Sequence, residues 1–311
     1  MTQTAKVNWL TVDEYAVGQR IDNFLLNQLK GVPRSAIYRI LRRGEVRVNK
    51  GRIKPTYRLQ IGDLVRIPPL HLGDDAPPAI IPDEVLQQLR QSIMYEDAAI
   101  LVLNKPAGLA VHGGSGLRFG LIEALREMGE QYAHAELVHR LDRETSGCLV
   151  LAKQREALLT LQASWRSREV QKYYLALLCG RLPKGKHRVD YALLRGRMNS
   201  GERVVEIDEE GKAAISHFDV QEYYGEHSLV KIQIETGRMH QIRVHAAGLG
   251  HPVAGDEKYG DRALNKALKQ QAGLKRLFLH ASHLMFDYAD EQHDYTAPLT
   301  LELNAVLEAL T

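Results

Sequence analysis

The chain has 311 residues, a formal net charge of +3 and 44% hydrophobic residues. This composition is typical of a folded globular protein rather than a disordered one, and the length suggests about two domains. We expect no signal peptide, because residues 1–12 are polar and contain no apolar run. We also expect no transmembrane helix, because no stretch approaches the roughly 20 apolar residues that a membrane span requires. The two cysteines, Cys148 and Cys179, lie in apolar runs. We therefore expect a cytoplasmic protein with two buried, free thiols.

The positive charge is concentrated at the N-terminal end. Residues 1–70 hold 13 Lys and Arg against 5 Asp and Glu, whereas the remaining 241 residues hold 28 against 33. A basic end indicates a polyanionic partner such as RNA. A solvated charged surface is the alternative, and it accounts less well for an imbalance that persists across a segment with folded patterning.

The basic segment predicts two helices followed by short strands. Apolar residues recur at helical spacing in two stretches: Ile21, Phe24, Leu25 and Leu29, then Ile37, Ile40 and Leu41. Alternation in residues 45–48 and 64–67 predicts strands, and residues 49–51 predict a turn.

Residues 18–68 resemble a small RNA-binding domain that is shared with a ribosomal protein of the small subunit. The resemblance rests on Arg-Ile-Asp-Asn-Phe-Leu from residue 20, Gly-Glu-Val-Arg-Val-Asn-Lys-Gly from residue 44, and a Gly-Asp turn at residue 62. A rigid helix pair with an arginine face suits phosphate contacts, which position a protein without reading the base sequence. We expect a basic RNA-binding domain whose phosphate contacts come from Arg39, Arg42, Arg43 and Arg47.

A proline-rich linker separates this segment from the rest of the chain. Five of the 11 prolines fall within residues 68–82, so we assign residues 69–82 to a semi-rigid linker. Strand-like runs then alternate with helical patterns, and the runs are Ile100–Leu103, Leu149–Ala152, Tyr174–Leu178 and Leu229–Ile234. This mixture predicts an α+β catalytic domain over residues 83–311, with a largely antiparallel mixed sheet.

The densest group of reactive side chains is residues 139–147, which read His-Arg-Leu-Asp-Arg-Glu-Thr-Ser-Gly. Arginines on both sides of Asp142 favour its charged form. The Thr-Ser-Gly that follows predicts a turn presenting Asp142 at a strand edge. The residues alone also permit a surface loop with structural ion pairs.

Two other segments bear on cofactors. Residues 236–245 read Thr-Gly-Arg-Met-His-Gln-Ile-Arg-Val-His. Arg243 lies off the apolar stripe there and can reach a carboxylate or a phosphate. The two histidines, five apart, have no HExxH or CxxC pattern beside them, so we expect no metal. The glycine-rich residues 104–116 lack the motifs of a nucleotide-binding loop, and the chain lacks the GxSxG of a serine hydrolase.

Residues 92–300 resemble the large ribosomal pseudouridine synthase family. Its signature matches residues 139–147, its second motif matches Lys-Tyr-Tyr-Leu-Ala from residue 172, and its third matches residues 237–245. The resemblance implies a catalytic Asp142, an active-site Tyr174, an Arg243 that partners Asp142, and an Arg140 that fills the space left by a flipped base. It also implies that a monomer without a cofactor isomerises uridine to pseudouridine in RNA, which we expect to be large-subunit ribosomal RNA.

Several alternatives stay open at this point. The sequence does not choose between a covalent and a glycal-type route, nor does it identify the general base. A non-catalytic RNA-binding protein is one rival. An RNA hydrolase that uses Asp142 with His139 or His240 is another, although it lacks a second carboxylate or a metal set.

Overall fold

The computed structural model describes residues 7–29, 32, 34–69, 81–113, 119–197 and 203–311. Residues 70–80 of the expected linker and residues 114–116 of the glycine-rich segment lie outside this set. The chain divides into a first unit of residues 1–80 and a second unit of residues 81–311. Within the described ranges, no helix has the length and apolar character to cross a membrane.

The first unit combines two helices with a small antiparallel sheet. Its elements are β1 (Asn8–Thr11), α1 (Ile21–Gln28), α2 (Arg34–Arg43), β2 (Arg47–Val48), β3 (Gly51–Arg52) and β4 (Leu64–Ile67). The strand order is β1-β4-β2-β3. Apolar residues of both helices pack with one face of this sheet to form the core, among them Phe24, Ile37, Ile40, Val48 and Val65.

The predicted helices are present, but one prediction about a strand was wrong. Residues 45 and 46 were assigned to a strand, whereas β2 begins at Arg47. The cause is the end of α2, where the amides of Gly44 and Glu45 bond to the carbonyls of Leu41 and Ile40 (both 3.0 Å). This closing turn is incompatible with an extended chain. Strand β1 was not predicted at all.

The second unit begins with α3 (Asp83–Gln91), β5 (Ile93–Glu96), β6 (Ile100–Lys105), α4 (Leu121–Glu127), a 3-10 helix (Glu130–Tyr132), β7 (Glu136–Leu137), β8 (Ser146–Ala152) and α5 (Arg155–Ser167). Next come β9 (Gln171–Cys179), β10 (Lys186–Asp190), β11 (Leu193–Arg197), β12 (Arg203–Ile207), β13 (Ile215–Tyr224) and β14 (His227–Ile234). The last elements are α6 (Gln241–Gly248), α7 (Arg262–Ala272), β15 (Leu279–Tyr288), β16 (Glu291–Thr296) and α8 (Leu301–Leu310).

One large sheet runs through the second unit in the order β10-β13-β14-β9-β15-β8-β6-β5, with β16 beside β15 and β7 beside β8. Strands β11 and β12 form a separate hairpin. Every pairing between two of these strands is antiparallel except that of β15 with β8. The expected α+β fold with a largely antiparallel sheet is therefore confirmed. Cys148 and Cys179 are both buried and free, as expected.

The parallel contact of β15 with β8 positions the loop that carries Asp142. Ser146 and Gly147 pair with His280 and Ala281. Gly147 has φ 111°, and a Cβ there would collide with the backbone of Ala281. Only glycine allows this approach, so the start of β8 is fixed close to β15.

Candidate active site

Asp142 lies in a turn just before β8. Its carbonyl accepts a hydrogen bond from the amide of Thr145 (3.1 Å), and its side chain is 30% exposed. The turn is the one predicted from the Thr-Ser-Gly sequence. It leaves the carboxylate accessible at the end of a buried strand.

Lys105 fixes this turn from its buried side. Its ammonium is fully buried and donates to the carbonyls of Pro106 (2.8 Å), Leu109 (3.0 Å) and Arg143 (3.1 Å). Burial lowers the pKa of Lys105 to about 7, but three carbonyl acceptors match the three N–H groups of the charged form. Arg143 and Gly108 add two reciprocal hydrogen bonds of 2.9 Å. The glycine-rich segment therefore acts here as a brace for the Asp142 turn.

Tyr174 projects from the middle of β9, where it pairs with Ile232 of β14. Its side chain is buried and lines the same pocket as Asp142. Burial and the nearby charge of Asp142 raise the pKa of the Tyr174 phenol. The phenol is therefore neutral at neutral pH and can offer a hydroxyl donor together with a flat aromatic face.

Arg243 lies on α6 between two carboxylates. Its Nη1 is 3.8 Å from Asp142 Oδ2. Its hydrogen bonds go instead to Asp256, with Nε and Nη2 each 2.7 Å from a carboxylate oxygen. Burial opposes the charge on Arg243, but the hydrogen bonds and charge of Asp256, with a smaller contribution from Asp142, raise its pKa. The expected partnership with Asp142 is thus a close approach without a hydrogen bond.

Asp256 is fully buried and serves as the anchor of Arg243. It also accepts hydrogen bonds from the amides of Lys258 (2.9 Å) and Tyr259 (3.0 Å). Burial disfavours the charged carboxylate, but Arg243 and these amides outweigh that effect and lower its pKa. The Arg243 guanidinium also lies 5.0 Å from the centre of the Tyr259 ring, so both its direction and its plane are fixed.

His240 approaches Asp142 from the same side. It adopts a left-handed conformation (φ 54°) just before α6, and its Nε2 is 3.9 Å from Asp142 Oδ2. Its Nδ1 is 2.7 Å from the Tyr259 hydroxyl, which accepts from the amide of Val205 (3.1 Å). Burial lowers the pKa of His240. If the Tyr259 hydroxyl donates to Nδ1, the neutral ring carries its proton on Nε2, the nitrogen that faces Asp142.

These side chains surround a cleft that is open to solvent. Its lining comprises Arg140, Leu141, Asp142, Thr145, Tyr174, Ile234, Gly237, Arg238, His240, Gln241, Ile242, Arg243 and Leu279. The carboxylate, the tyrosine and the arginine singled out in the sequence therefore meet in one place, and the exposed Arg140 lies beside them. Among the described residues, no group of three His, Cys, Asp or Glu side chains is arranged to hold a metal ion.

His139 lies outside this cleft. Its ring stacks on Trp165 with a centroid distance of 5.0 Å, and its Nε2 accepts the amide of Val150 (3.1 Å). Burial and the charge of Lys172 lower the pKa of His139 to about 3. The ring is therefore a neutral structural acceptor, which weakens the hydrolase alternative that paired it with Asp142.

The four predicted phosphate contacts belong to the first unit and all are exposed. Arg39, Arg42 and Arg43 share the solvent side of α2, whereas Arg47 lies on the sheet. Asp256 and Tyr259 were missed by sequence reasoning. The only signal for them is the polar turn Gly-Asp-Glu-Lys-Tyr-Gly at residues 255–260, and nothing in its spacing connects it to Arg243.

Comparison with known proteins agrees with this arrangement. Residues 99–248 match the family model of RNA pseudouridylate synthase, and residues 19–65 match that of the S4 domain. The two matched segments fall in different units of the structure. The first contains every residue that lines the cleft except Leu279, and the second contains helix α2 with its arginines.

Similar proteins cover nearly the whole chain. The ribosomal large subunit pseudouridine synthase C of Haemophilus ducreyi is 49% identical over 99% of this chain and 97% of the relative. The protein of the same name from Escherichia coli is 49% identical over 99% and 98%. Among solved structures, human RNA pseudouridylate synthase domain containing 4 is 27% identical with a TM-score of 0.62, covering 73% of this chain and 96% of that one.

Proposed function

The chain belongs to the RNA pseudouridylate synthase family, and we propose that it converts uridine to pseudouridine in large-subunit ribosomal RNA with Asp142 as the catalytic carboxylate. The support for this substrate is the name of relatives that are about half identical over nearly the full length. The observation that carries the role of Asp142 is its meeting with Tyr174 and Arg243 in one cleft.

The reaction breaks the bond between the uracil and its ribose, turns the base, and rejoins it through carbon 5. It needs one ionised carboxylate, accurately placed at the sugar or the base. Arg243 and His240 approach one oxygen of Asp142 at 3.8 and 3.9 Å but do not occupy it with short hydrogen bonds. The carboxylate therefore stays available for attack while both neighbours stabilise its charge.

Tyr174 supplies the surface for the base. Its ring is packed in β9, and its neutral phenol is a hydrogen-bond donor rather than a ready base, because its pKa is raised. We propose that the ring stacks on the turning uracil and that the hydroxyl orients it. This assignment disfavours a phenolate as the base that removes the proton from carbon 5.

Arg140 is the candidate for holding the RNA open. A target uridine must leave its stack before Asp142 can reach it, at a cost of a few kcal/mol. Arg140 is exposed at the edge of the cleft, and its planar guanidinium can stack on the bases that remain and contact phosphate.

In this proposal the first unit binds the RNA and the second unit carries out the reaction. Residues 18–68 form the basic RNA-binding domain, residues 69–82 the linker, and residues 83–311 the catalytic domain. Phosphate contacts come from Arg39, Arg42, Arg43 and Arg47, which are all exposed. We also propose that the enzyme acts as a monomer, and we place it in the cytoplasm with its ribosomal substrate.

Substitution of Asp142 tests this function. Asp142→Asn keeps the size of the side chain but removes the charge, so isomerisation should be abolished while RNA affinity changes little. Glu144→Gln is a matched control, because that carboxylate is exposed in the same turn and pairs only with Arg143 (3.4 Å) among described residues. Pseudouridine in a ribosomal RNA fragment would be mapped after incubation. Turnover of the Asp142 variant within tenfold of the unsubstituted enzyme, or cleavage of the RNA strand, would contradict the proposal.

A further inference from the structure

One cross-strand row of four side chains lies on the open face of the first unit's sheet. Trp9 on β1 pairs with Arg66 on β4, Arg66 pairs with Arg47 on β2, and Arg47 pairs with Arg52 on β3. Directly paired residues share a sheet face, and the residues that alternate with them, such as Val65, are in the core. This Trp9–Arg52 row therefore presents an indole and three guanidinium groups on the side opposite the core.

The row is accessible and its charge is not neutralised. Trp9 is 44% exposed, Arg47 and Arg52 are exposed, and Arg66 is half-buried. Within the described part of the chain, none of these three arginines forms an ion pair. The carboxylate of the adjacent turn, Glu45, is paired elsewhere, with Arg43 at 3.7 Å.

Three consecutive carbonyls at the end of α2 hold the guanidinium groups in place. The bonds run from Arg52 to Arg43 O (3.4 Å), from Arg47 to Gly44 O (3.3 Å) and from Arg66 to Glu45 O (2.7 Å). Gly44 makes room for the Arg52 side chain, since a Cβ at this position would lie 2.5 Å from Arg52 Nε. Each guanidinium has five N–H donors, so most donors stay available to a ligand.

Capping of α2 does not account for this much charge. The C-terminal end of a helix carries about half an elementary charge, whereas the row brings three positive charges to it. Like charges placed directly opposite each other in a sheet are destabilising. One arginine is enough to neutralise the partial negative charge at the end of α2. The positive charge of the other two arginines is therefore available to a polyanion.

We propose that the Trp9–Arg52 row binds a single-stranded segment of the RNA substrate, with a base stacked on Trp9 and phosphates against the arginines. The inference rests on the proposed function, because it takes RNA as the ligand. An aromatic ring beside a basic track is the combination that binds unpaired nucleotides, whose bases are free to stack. This surface lies on the sheet, whereas Arg39, Arg42 and Arg43 lie on the solvent side of α2.

The test compares a short unstructured RNA oligonucleotide with a blunt RNA duplex, using the full chain and fluorescence anisotropy at several salt concentrations. Trp9→Ala should weaken oligonucleotide binding about fivefold or more, since stacking on an aromatic ring contributes about 1–3 kcal/mol per base. Trp9→Phe should restore most of the loss. The double variant Arg47→Gln with Arg52→Gln should flatten the log–log salt dependence by about 1.4, or about 0.7 per single-strand phosphate contact. Duplex binding should change less in each case.

Arg58→Gln and Ile61→Ala are matched controls in the same unit. Arg58 is exposed and bonded to the Gly18 carbonyl (2.9 Å), and Ile61 is 70% exposed. If the Trp9 and arginine variants bind the oligonucleotide as the unsubstituted protein does and differ only in a lower melting temperature by circular dichroism, the proposal is overturned. The Trp9–Arg52 row would then serve only to cap α2. Equal losses for duplex and oligonucleotide would also overturn the proposal. Failure of the unsubstituted enzyme to form pseudouridine would instead count against the proposed function and leave these binding results unaffected.

Discussion

Asp256→Asn is expected to slow catalysis although Asp256 does not line the cleft. The substitution keeps the shape of the side chain but removes the charge that holds Arg243 through two 2.7 Å hydrogen bonds. Loss of one partner from a buried ion pair costs about 3–5 kcal/mol. Part of this cost is recovered if Arg243 turns to Asp142, because shortening their separation from 3.8 Å to the length of a charged hydrogen bond, about 2.8 Å, strengthens the attraction by about 1.5 kcal/mol at an effective dielectric of about 20. We therefore expect the free energy of unfolding to fall by only about 2 kcal/mol.

The catalytic effect should be larger than this change in stability suggests. A direct hydrogen bond from Arg243 would draw the Asp142 carboxylate, which we propose to be catalytic, about 1 Å from its position, and a displacement of that size costs about 100-fold in rate. We expect the single-turnover rate at saturating ribosomal RNA to fall by about that factor. Affinity for the RNA should change little, because Asp256 is buried.

Asp22→Asn provides the matched control. Asp22 is also buried and binds an arginine through two bonds, to Arg20 Nη2 (2.7 Å) and Nε (3.1 Å), but it belongs to the first unit. It should lower stability without slowing the reaction at saturating RNA. Pseudouridine formation would be followed by mass spectrometry of digested RNA and unfolding by urea titration. A rate for Asp256→Asn within tenfold of the unsubstituted enzyme, or an equal slowing by Asp22→Asn, would refute the reasoning.

Three further predictions concern other parts of the molecule. Lys105→Met leaves three carbonyls without their buried donor and should lower the unfolding free energy by about 3 kcal/mol. An unchanged unfolding free energy in urea titration would contradict the role of Lys105 in holding the Asp142 turn. The folded pKa of His139 is about 3 and the unfolded value about 6.5, so the unfolded chain takes up the proton first. The free energy of unfolding therefore falls below about pH 6.5, by roughly 2 kcal/mol at pH 5. His139→Gln should remove this contribution of His139 to the pH dependence. If the fall in unfolding free energy from pH 7 to pH 5, measured by urea titration, is the same in the variant, the prediction is wrong. A chain beginning at residue 83 should bind RNA more weakly and with a salt slope shallower by about 0.7–0.9 per lost contact, and an unchanged slope would exclude the first unit as the phosphate-binding domain.

Regular patterns made much of the fold predictable from the sequence. The core residues of α2, Ile37, Ile40 and Leu41, recur at helical spacing and are all buried, because periodicity depends only on which side faces the core. Strand β1 has no such signal. Its four residues, Asn-Trp-Leu-Thr, form a strand because they pair with β4. That pairing depends on the tertiary fold, so the local sequence does not predict it.

The site was predictable where chemistry and spacing occur within one segment. Asp142 and Arg243 each stand in a dense local motif, so the sequence marks them without the fold. Asp256 is 13 residues beyond Arg243. Its role in anchoring Arg243 depends on the turn of residues 255–260, which brings its carboxylate to the guanidinium on α6. The role of Lys105 was missed for the same reason, since its acceptor at Arg143 is 38 residues away.

The brace behind Asp142 also bears on which uridines the enzyme selects. A turn tied by a buried ammonium and by reciprocal hydrogen bonds to Gly108 has little freedom to follow a nucleotide that arrives in the wrong place. The deformation needed for reaction must then come from the RNA, and its cost depends on how firmly the target base is stacked and paired. Local flexibility of the nucleic acid, more than its base sequence, would decide which sites react quickly, and uridines in bulges or loops would be favoured over those within continuous helices.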